Sequence, residues 1–410
     1  MNKLPEDWEI KKLKDIGNVY TGITPPTSDK ENFGNEHLFV TSADIKENKY
    51  IFNSIRKLSN KGFEKTKKFK KGDILYVCIG SIGKIALAKT DFSCNQQINV
   101  LRVNKEIDNE FIYYQLMNSF PYISKFISKR VVPIMNKTTF ENLEISLPSL
   151  DEQKRIAAAL SKIDAYLENT IKLIEEKERF KRGITKKLLT CKEGENIPEA
   201  RFKGFEGEWE IVKLGDIGTI TATGVDKKIN DNETPIKLLN YLDVFNRNKL
   251  YEKEISYMTT ATEKQLEKCN IRKGDLFITP SSEDKKGIAK SSVAMEDFKN
   301  TVYSYHIIRV RFNKEIDLKF KSYMCDTDFF HRQAYRLCDG SGQRYFIKLD
   351  NFRNMEICIP KSIKEQEKIG GYLSLLDEEI DNLKKQKELI KEMKRGAMQK
   401  LLSGEVRLLE

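Results

Sequence analysis

Two long stretches carry the clearest pattern of apolar and polar positions. From Asp151 to about Leu189 there is no proline, and Gly183 is the only glycine. Ile156, Leu160, Ile163, Leu167, Ile174, Ile184 and Leu188 fall on alternating steps of four and three, with Thr170, Lys177 and Lys181 in the remaining places. Ile369, Leu373, Leu376, Ile380, Leu383, Ile390, Ala397 and Leu401 repeat the pattern, with Lys387 and Lys394 in the gaps. This is a heptad seam, apolar at its ends and partly polar in the middle. It predicts helices over 151–190 and 362–402, with Asp151 and Ser362 as N-caps. A helix of ~39 residues is roughly 60 Å long at 1.5 Å per residue. Neither seam is wide enough to cover a globular core. The two match in phase and length, so each is most simply buried against the other. An antiparallel pair acting as a rigid spacer results if the domains sit at its two ends.

Upstream of each long helix the periodicity is shorter. Residues 73–79 and 99–103, rich in Ile, Leu and Val, read as strands, and 143–147 reads as a strand entering the helix. Residues 108–117 read as a helix with an aromatic face. The order has no βαβ rhythm, which favours an α+β fold.

The whole arrangement is written twice. Asp7-Trp8-Glu9-Ile10 and Asp15-Ile16-Gly17 recur as Glu208-Trp209-Glu210-Ile211 and Asp216-Ile217-Gly218. Lys71-Gly72-Asp73 recurs as Lys273-Gly274-Asp275, and Asn104–Asp108 as Asn313–Asp317. Glu152-Gln153, Ile156 and Lys181-Arg182-Gly183 recur as Glu365-Gln366, Ile369 and Lys394-Arg395-Gly396. Between the anchors, as in 18–70 against 219–272, the copies barely resemble each other. Length changes settle in surface loops because a core cannot absorb them. Scaffold was kept while loops diverged, which suits two binding modules of one design and two specificities. The expected domains are 1–150 and 208–361, helices 151–190 and 362–402, a Gly- and Pro-bearing linker 191–207 and a tail 403–410.

Composition adds a basic balance. Lys+Arg is 72 against 61 Asp+Glu, a formal charge of +11. The excess is uneven: residues 1–150 hold 23 basic and 17 acidic side chains, and 205–361 hold 26 and 24. Arg56, Lys57, Lys61, Lys65, Lys67, Lys68, Lys70 and Lys71 crowd one stretch that can meet phosphates. No apolar run approaches the ~18–20 residues of a membrane span. The first residues lack the apolar stretch of a secretory signal. Seven cysteines, none in C-x-x-C spacing, read as reduced thiols, so the expected location is the cytoplasm.

Catalytic motifs are not found. Gly80-Ser81-Ile82-Gly83-Lys84 lacks the spacing of a phosphate loop and reads as a turn. No G-x-G-x-x-G follows a strand. Thr24-Pro25-Pro26-Thr27 lacks the Asp or Asn and the aromatic residue with which an amino-methyltransferase holds an extruded base. His37, His306 and His331 are scattered, with no Ser-His or Cys-His context.

A further set of short motifs is specific. The first copy has Gly22-x-Thr24-Pro25, Lys71-Gly72-Asp73-Ile74, Gly83-Lys84-Ile85-Ala86 and Cys94-Asn95-Gln96-Gln97-Ile98. Leu143-x-Ile145-x-x-Pro148-x-x-x-Glu152-Gln153-x-x-Ile156 closes the first copy. The second copy has Lys273-Gly274-Asp275, Gly340-Ser341-Gly342-Gln343 and Ile357-x-x-Pro360-x-x-x-x-Glu365-Gln366-x-x-Ile369. It departs at Ser304-Tyr305-His306, in place of Asn95-Gln96-Gln97, and at Thr223-Gly224-Val225-Asp226, in place of Gly22-x-Thr24-Pro25.

On these residues the chain resembles the specificity subunit of type I restriction–modification systems, and the resemblance implies two target-recognition domains on a long antiparallel two-helix coiled coil. Each domain would read one half of an asymmetric, gapped site in double-stranded DNA. The helices would dock two modification subunits, which bind S-adenosylmethionine and methylate adenine. Restriction subunits, using ATP and Mg, would add cleavage in host defence. The chain itself would hold no cofactor or metal and do no chemistry. Candidate DNA contacts in the first copy are Thr24, Lys65, Lys67, Lys68, Lys70, Arg130, Asn136 and Lys137. In the second they are Arg332, Arg336, Gln343, Arg344 and Tyr345; Arg suits guanine and Gln or Asn suits adenine. Competing readings are a self-contained methyltransferase, a coiled-coil assembly scaffold and a repressor-like DNA-binding protein without a restriction partner.

Overall fold

The computed structural model describes residues 4–46, 48–126, 133–192, 194–342 and 344–409. The chain divides into two units, residues 1–173 with 383–410, and residues 174–382. In the first unit a five-stranded sheet runs Gly17–Thr21, Ile98–Val103, Ile74–Val77, Ile85–Ala88, Tyr50–Ile51. The second unit has Gly218–Thr221, Ile308–Phe312, Leu276–Ile278, Ser291–Ala294, Lys249–Leu250 in the same order. Both sheets are antiparallel except at the last pair, which is parallel. A three-stranded sheet accompanies each, Arg56–Leu58 with Phe33–Val40 and Phe92–Cys94, and Met258–Ala261 with Thr234–Leu239 and Thr301–Tyr303. This is the α+β arrangement expected, with strands shorter than the apolar runs.

The central strands read as unbroken apolar runs because both faces are covered. Ile74 and Tyr76 enter one core with Leu101 and Phe111, while Leu75 and Val77 enter another with Val40 and Phe92. Leu276 and Ile278 against Phe277 repeat the split in the second unit.

The repeated motifs turn out to be local clamps. Gly72 and Gly274 take φ of +91° and +85°, a left-handed region that favours glycine. The next residue, Asp73, lies just outside the strand. Its carboxylate accepts from the Lys70 amide at 2.9 Å and from Arg102 Nη2 at 2.6 Å. Asp275 does the same with the Arg272 amide at 2.8 Å and Arg311 Nη2 at 2.6 Å. Gln153 donates to the Pro148 carbonyl at 2.8 Å and accepts from the Asp108 amide at 3.0 Å, tying strand, helix and long helix together. Gln366 repeats this with Pro360 at 2.8 Å and Asp317 at 2.9 Å. Beside them, buried Glu152 is held by Arg407 of the tail, and buried Glu365 by Arg201 of the linker. Gly80 and Gly83, at φ +77° and +93°, form a turn between two strands.

The long helices span Leu150–Leu189 and Ile363–Leu402. The first begins one residue before the expected cap. Ser149, not Asp151, precedes it, and the Glu152 amide donates to Ser149 Oγ at 3.4 Å. Ser362 precedes the second as expected. In the first unit Lys394 pairs with Asp164 at 2.6 Å, and Gln386 donates to the Tyr166 hydroxyl. Lys177 meets Glu379 at 2.7 Å in the second unit, where Lys181 meets Asp377. Numbers rise along one helix as they fall along the other, so each pairing is antiparallel. Ile156 and Leu160 join the first unit's core with Leu401, and Ile369 and Leu373 join the second's with Leu188. The apolar seam ends therefore serve module cores as well as the partner helix. Among the described residues, no helix is long and apolar enough to cross a membrane.

Candidate nucleic-acid interface

In the first module the turn Asn95-Gln96-Gln97 joins two strands and stands at the surface. Gly22 lies against it so closely that a Cβ there would sit 2.3 Å from the Asn95 carbonyl oxygen. Gly224 is pressed in the same way on Ser304-Tyr305, with a Cβ 2.3 Å from the Tyr305 amide nitrogen. The glycine is thus shared: Gly22 corresponds to Gly224, and Thr24 to Asp226. This corrects the alignment read from sequence, in which Gly22 faced Thr223. A one-residue slip is invisible where the flanking side chains differ.

Thr24 Oγ1 donates to Gln96 Oε1 at 2.6 Å. Gln97 Oε1 accepts from Asn95 Nδ2 at 3.0 Å and from Ser42 Oγ at 3.3 Å, and Lys84 Nζ donates to the Ser42 carbonyl at 3.2 Å. The result is an oriented set of amides, hydroxyls and one ammonium. An amide oxygen has two lone pairs, so Gln96 keeps both a donor and an acceptor for a base edge. The matching turn of the second module is aromatic. Tyr305 and His306 lie with ring centroids 3.9 Å apart, and Tyr305 is exposed. His306 opens on a cavity of about 610 Å³ with Tyr241, Phe245, Ser282, Glu283 and Arg344. Burial, then the charges of Lys227 and Arg344, hold the His306 imidazole below its usual pKa, favouring the neutral ring.

The predicted contacts are spread over several places. Lys65 pairs with Asp29 at 3.2 Å, Lys68 with Glu64 and Lys70 with Asp91 at 2.7 Å. Lys67 is exposed and, among the described residues, forms no ion pair. Exposed pairs are weak, so phosphate can displace them. Asn136 caps the helix Lys137–Glu141, accepting from the Thr139 amide at 2.8 Å, and Lys137 pairs with Glu141 at 3.2 Å. Arg130 and Gln343 lie outside the described residues. Arg344 and Tyr345 sit on the strand Arg344–Phe346, where Arg344 donates to Ser281 Oγ at 3.3 Å and Tyr345 packs on the core. Arg332 and Arg336 line a different cavity, of about 670 Å³. The second-module candidates therefore fall into two groups.

One polar cluster escaped sequence reasoning. Lys49, its side chain 2% exposed, donates to Glu110 at 2.7 Å, Ser161 at 2.6 Å and Tyr114 at 3.0 Å. The Tyr114 hydroxyl donates to Asp164, which also holds Lys394. The second unit repeats it: Lys249 donates to Ser374 at 2.9 Å, and Tyr323 donates to Asp377, which holds Lys181. In each unit the cluster fastens a module to both long helices. Its sequence signal was the repeat itself: Tyr114 recurs as Tyr323, and Ser161, Asp164 and Lys181 recur at one common offset as Ser374, Asp377 and Lys394. Burial pulls the Lys49 and Lys249 ammonium groups below their usual pKa despite the facing carboxylates. Among the described residues, no three His, Cys, Asp or Glu side chains gather as metal ligands.

Comparison with known proteins fits this construction. The type I restriction modification DNA specificity domain matches residues 5–176 and again 206–392. The MjaVIII type I restriction enzyme specificity subunit of Methanocaldococcus jannaschii is 25% identical over 410 residues, covering 99% of this chain and 94% of the relative. Among solved structures, the type I restriction–modification S subunit of M. genitalium superposes with a TM-score of 0.58 at 17% identity, over 98% of this chain and 97% of that one. A chain from work on complex assembly and conformational transition of the type I R-M system gives 0.62 at 14% identity, over 99% and 100%. Two copies of the domain and near-complete coverage lead to one assignment: this chain belongs to the type I restriction–modification DNA specificity family.

Proposed function

We propose that the chain is the non-catalytic recognition subunit of a type I restriction–modification complex, with each module reading one half of an asymmetric, gapped duplex site. One observation carries this reading. Sheet order, clamps and the glycine beneath the turn are duplicated, while the turn itself changes from Asn95-Gln96-Gln97 to Ser304-Tyr305-His306. A retained platform with exchanged edge-reading groups is what two different half-sites require. Lysines around Lys67 supply phosphate contacts that set position rather than sequence.

The paired helices then dock two modification subunits. S-adenosylmethionine and adenine methylation belong to those partners, and ATP, Mg and cleavage to restriction subunits. The complex acts in the cytoplasm, in host defence. Footprinting of the chain reconstituted with its modification subunits tests this. Protection of one duplex site with two unlike half-sites is expected; salt-sensitive binding without sequence preference would overturn it. Methyl transfer to DNA by the purified chain alone would overturn its non-catalytic role.

A further inference from the structure

Cys191 is the second residue beyond the first long helix, and it bridges to Pro198 across the linker turn. Cys358 lies mid-strand in Glu356–Ile359, opposite Ile211. Both belong to the second unit, and their sulfurs are 3.1 Å apart. We infer that Cys191 and Cys358 form a reversible disulfide under hydroperoxide, an oxidative modification site that staples the linker to the second module.

Three further observations point the same way. First, the pair is reachable. Both cysteines are half-buried and line the cavity of about 670 Å³ that opens beside them, whereas Cys78, Cys94, Cys269 and Cys325 are buried. Second, the two sulfurs already lie within hydrogen-bond distance, in a cavity lined by both basic (Lys186, Arg332, Arg336) and acidic (Glu195, Glu199, Asp328) side chains. A hydrogen bond joins the two sulfurs, and with it the Cys191 thiol is drawn below its usual pKa while Cys358 is pushed up. Cys191, beside the linker turn, is assigned as the attacking sulfur and Cys358, held mid-strand, as the resolving one. Third, the pair is peculiar to one unit. The repeat offsets place Gly404 at the position of Cys191 and Ser146 at that of Cys358. Both members meet in the second unit, and both are replaced in the first, which holds Ser146 and Gly404.

The chemistry balances with hydroperoxide as the oxidant. The Cys191 thiolate attacks one peroxide oxygen and breaks the O–O bond. The leaving oxygen takes a proton and departs as water (an alcohol from an alkyl hydroperoxide), and Cys191 becomes a sulfenic acid. The Cys358 sulfur then attacks the Cys191 sulfur, and hydroxide departs as water with the thiol proton. Two thiols lose two electrons and two protons, and the peroxide is reduced. A dithiol reverses the bond by exchange.

The full chain, reduced, desalted and treated with stoichiometric hydrogen peroxide, tests the assignment. Remaining thiols are blocked with maleimide in denaturant, and the digest is read by mass spectrometry without reductant. The expected result is one linked peptide joining Cys191 to Cys358, lost on adding dithiothreitol. The oxidised chain should also unfold roughly 4–16 °C higher, the effect of closing a long loop. Cys358→Ser puts in place the residue found at Ser146, so the fold tolerates it. That variant should give no linked peptide and a dimedone adduct on Cys191. Maleimide on both Cys191 and Cys358 after peroxide, or links from either to other cysteines or between chains, would overturn the proposal.

Discussion

Gly22 shows how a single residue governs the reading surface. With no Cβ it lets the strand end touch the backbone of the Asn95 turn; an alanine would place carbon 2.3 Å from the Asn95 oxygen. Backbone, unlike a long side chain, does not swing aside, so the turn itself must shift. Gly22→Ala should weaken binding to the first half-site at least tenfold and leave protection of the second unchanged, as read by footprinting of the reconstituted complex. Equal loss at both halves would mean that the turn is not a module-specific reader. The lysine cluster makes a separate, electrostatic prediction. Lys67 has no ion pair among the described residues, so it meets phosphate without first leaving a partner. Lys67→Ala should lower the slope of log K against log salt by about 0.9, uniformly across sequences. An unchanged slope would remove Lys67 from the phosphate contacts. Charge clustering was legible from composition. The partners Asp29, Glu64 and Asp91 were not, because they come from elsewhere in the sequence or were read only as net charge.

At the scale of elements, the heptads and the central apolar runs were legible because period and length alone determine them. What the sequence hid was why the motifs recur. Gln153 and Gln366 are spacers in a pattern until a carbonyl and an amide from separate segments are seen to converge on each. Gln366→Ala leaves the buried Pro360 oxygen and Asp317 amide without partners, at a cost of about 1–3 kcal/mol in denaturant unfolding. Gln366→Glu, which keeps the acceptor and loses the donor, should fall between alanine and wild type. The polar clusters make a sharper claim. Lys394→Ala leaves the buried Asp164 carboxylate with the Tyr114 hydroxyl but without its paired cation, and should cost up to about 3–5 kcal/mol. Glu110 supplies the pH dependence. Burial alone would raise its pKa, but hydrogen bonds from Lys49, Ser161 and Tyr50 outweigh it and hold the carboxyl below its usual value. The folded state therefore binds its proton less readily than the unfolded chain. The stabilisation is complete above the unfolded pKa, near 4.5, and is lost as pH falls through the lower folded value. The stability difference between wild type and Glu110→Gln should be flat from pH 8 to about 5 and shrink below that. A difference that stays constant down to pH 3 would contradict the depressed carboxyl.

For the whole molecule, net charge describes the partner only coarsely. An excess of +11 suits any polyanion, and most of the module imbalance lies in residues 1–150, with 23 basic against 17 acidic side chains. Duplication carries the finer information. Each unit repeats one sheet order, one Asp–Arg clamp, one Gln clamp and one Lys–Tyr–Asp fastening, so selection on the framework acted twice on the same solution. The surface turns were free to differ, because neither enters a core. Independence of the two readings follows. Replacing residues 1–150 with the first module of another family member should change one half-site and leave the other half as it was. The graft must keep apolar groups where Ile156, Leu160, Met398 and Leu401 enter the core, since those residues come from the long helices and stay behind. Methylation mapping of the chimaera, reconstituted with its modification subunits, reads the outcome directly. A change in both half-sites would mean that the modules share one reading surface, and the two-module account would fail.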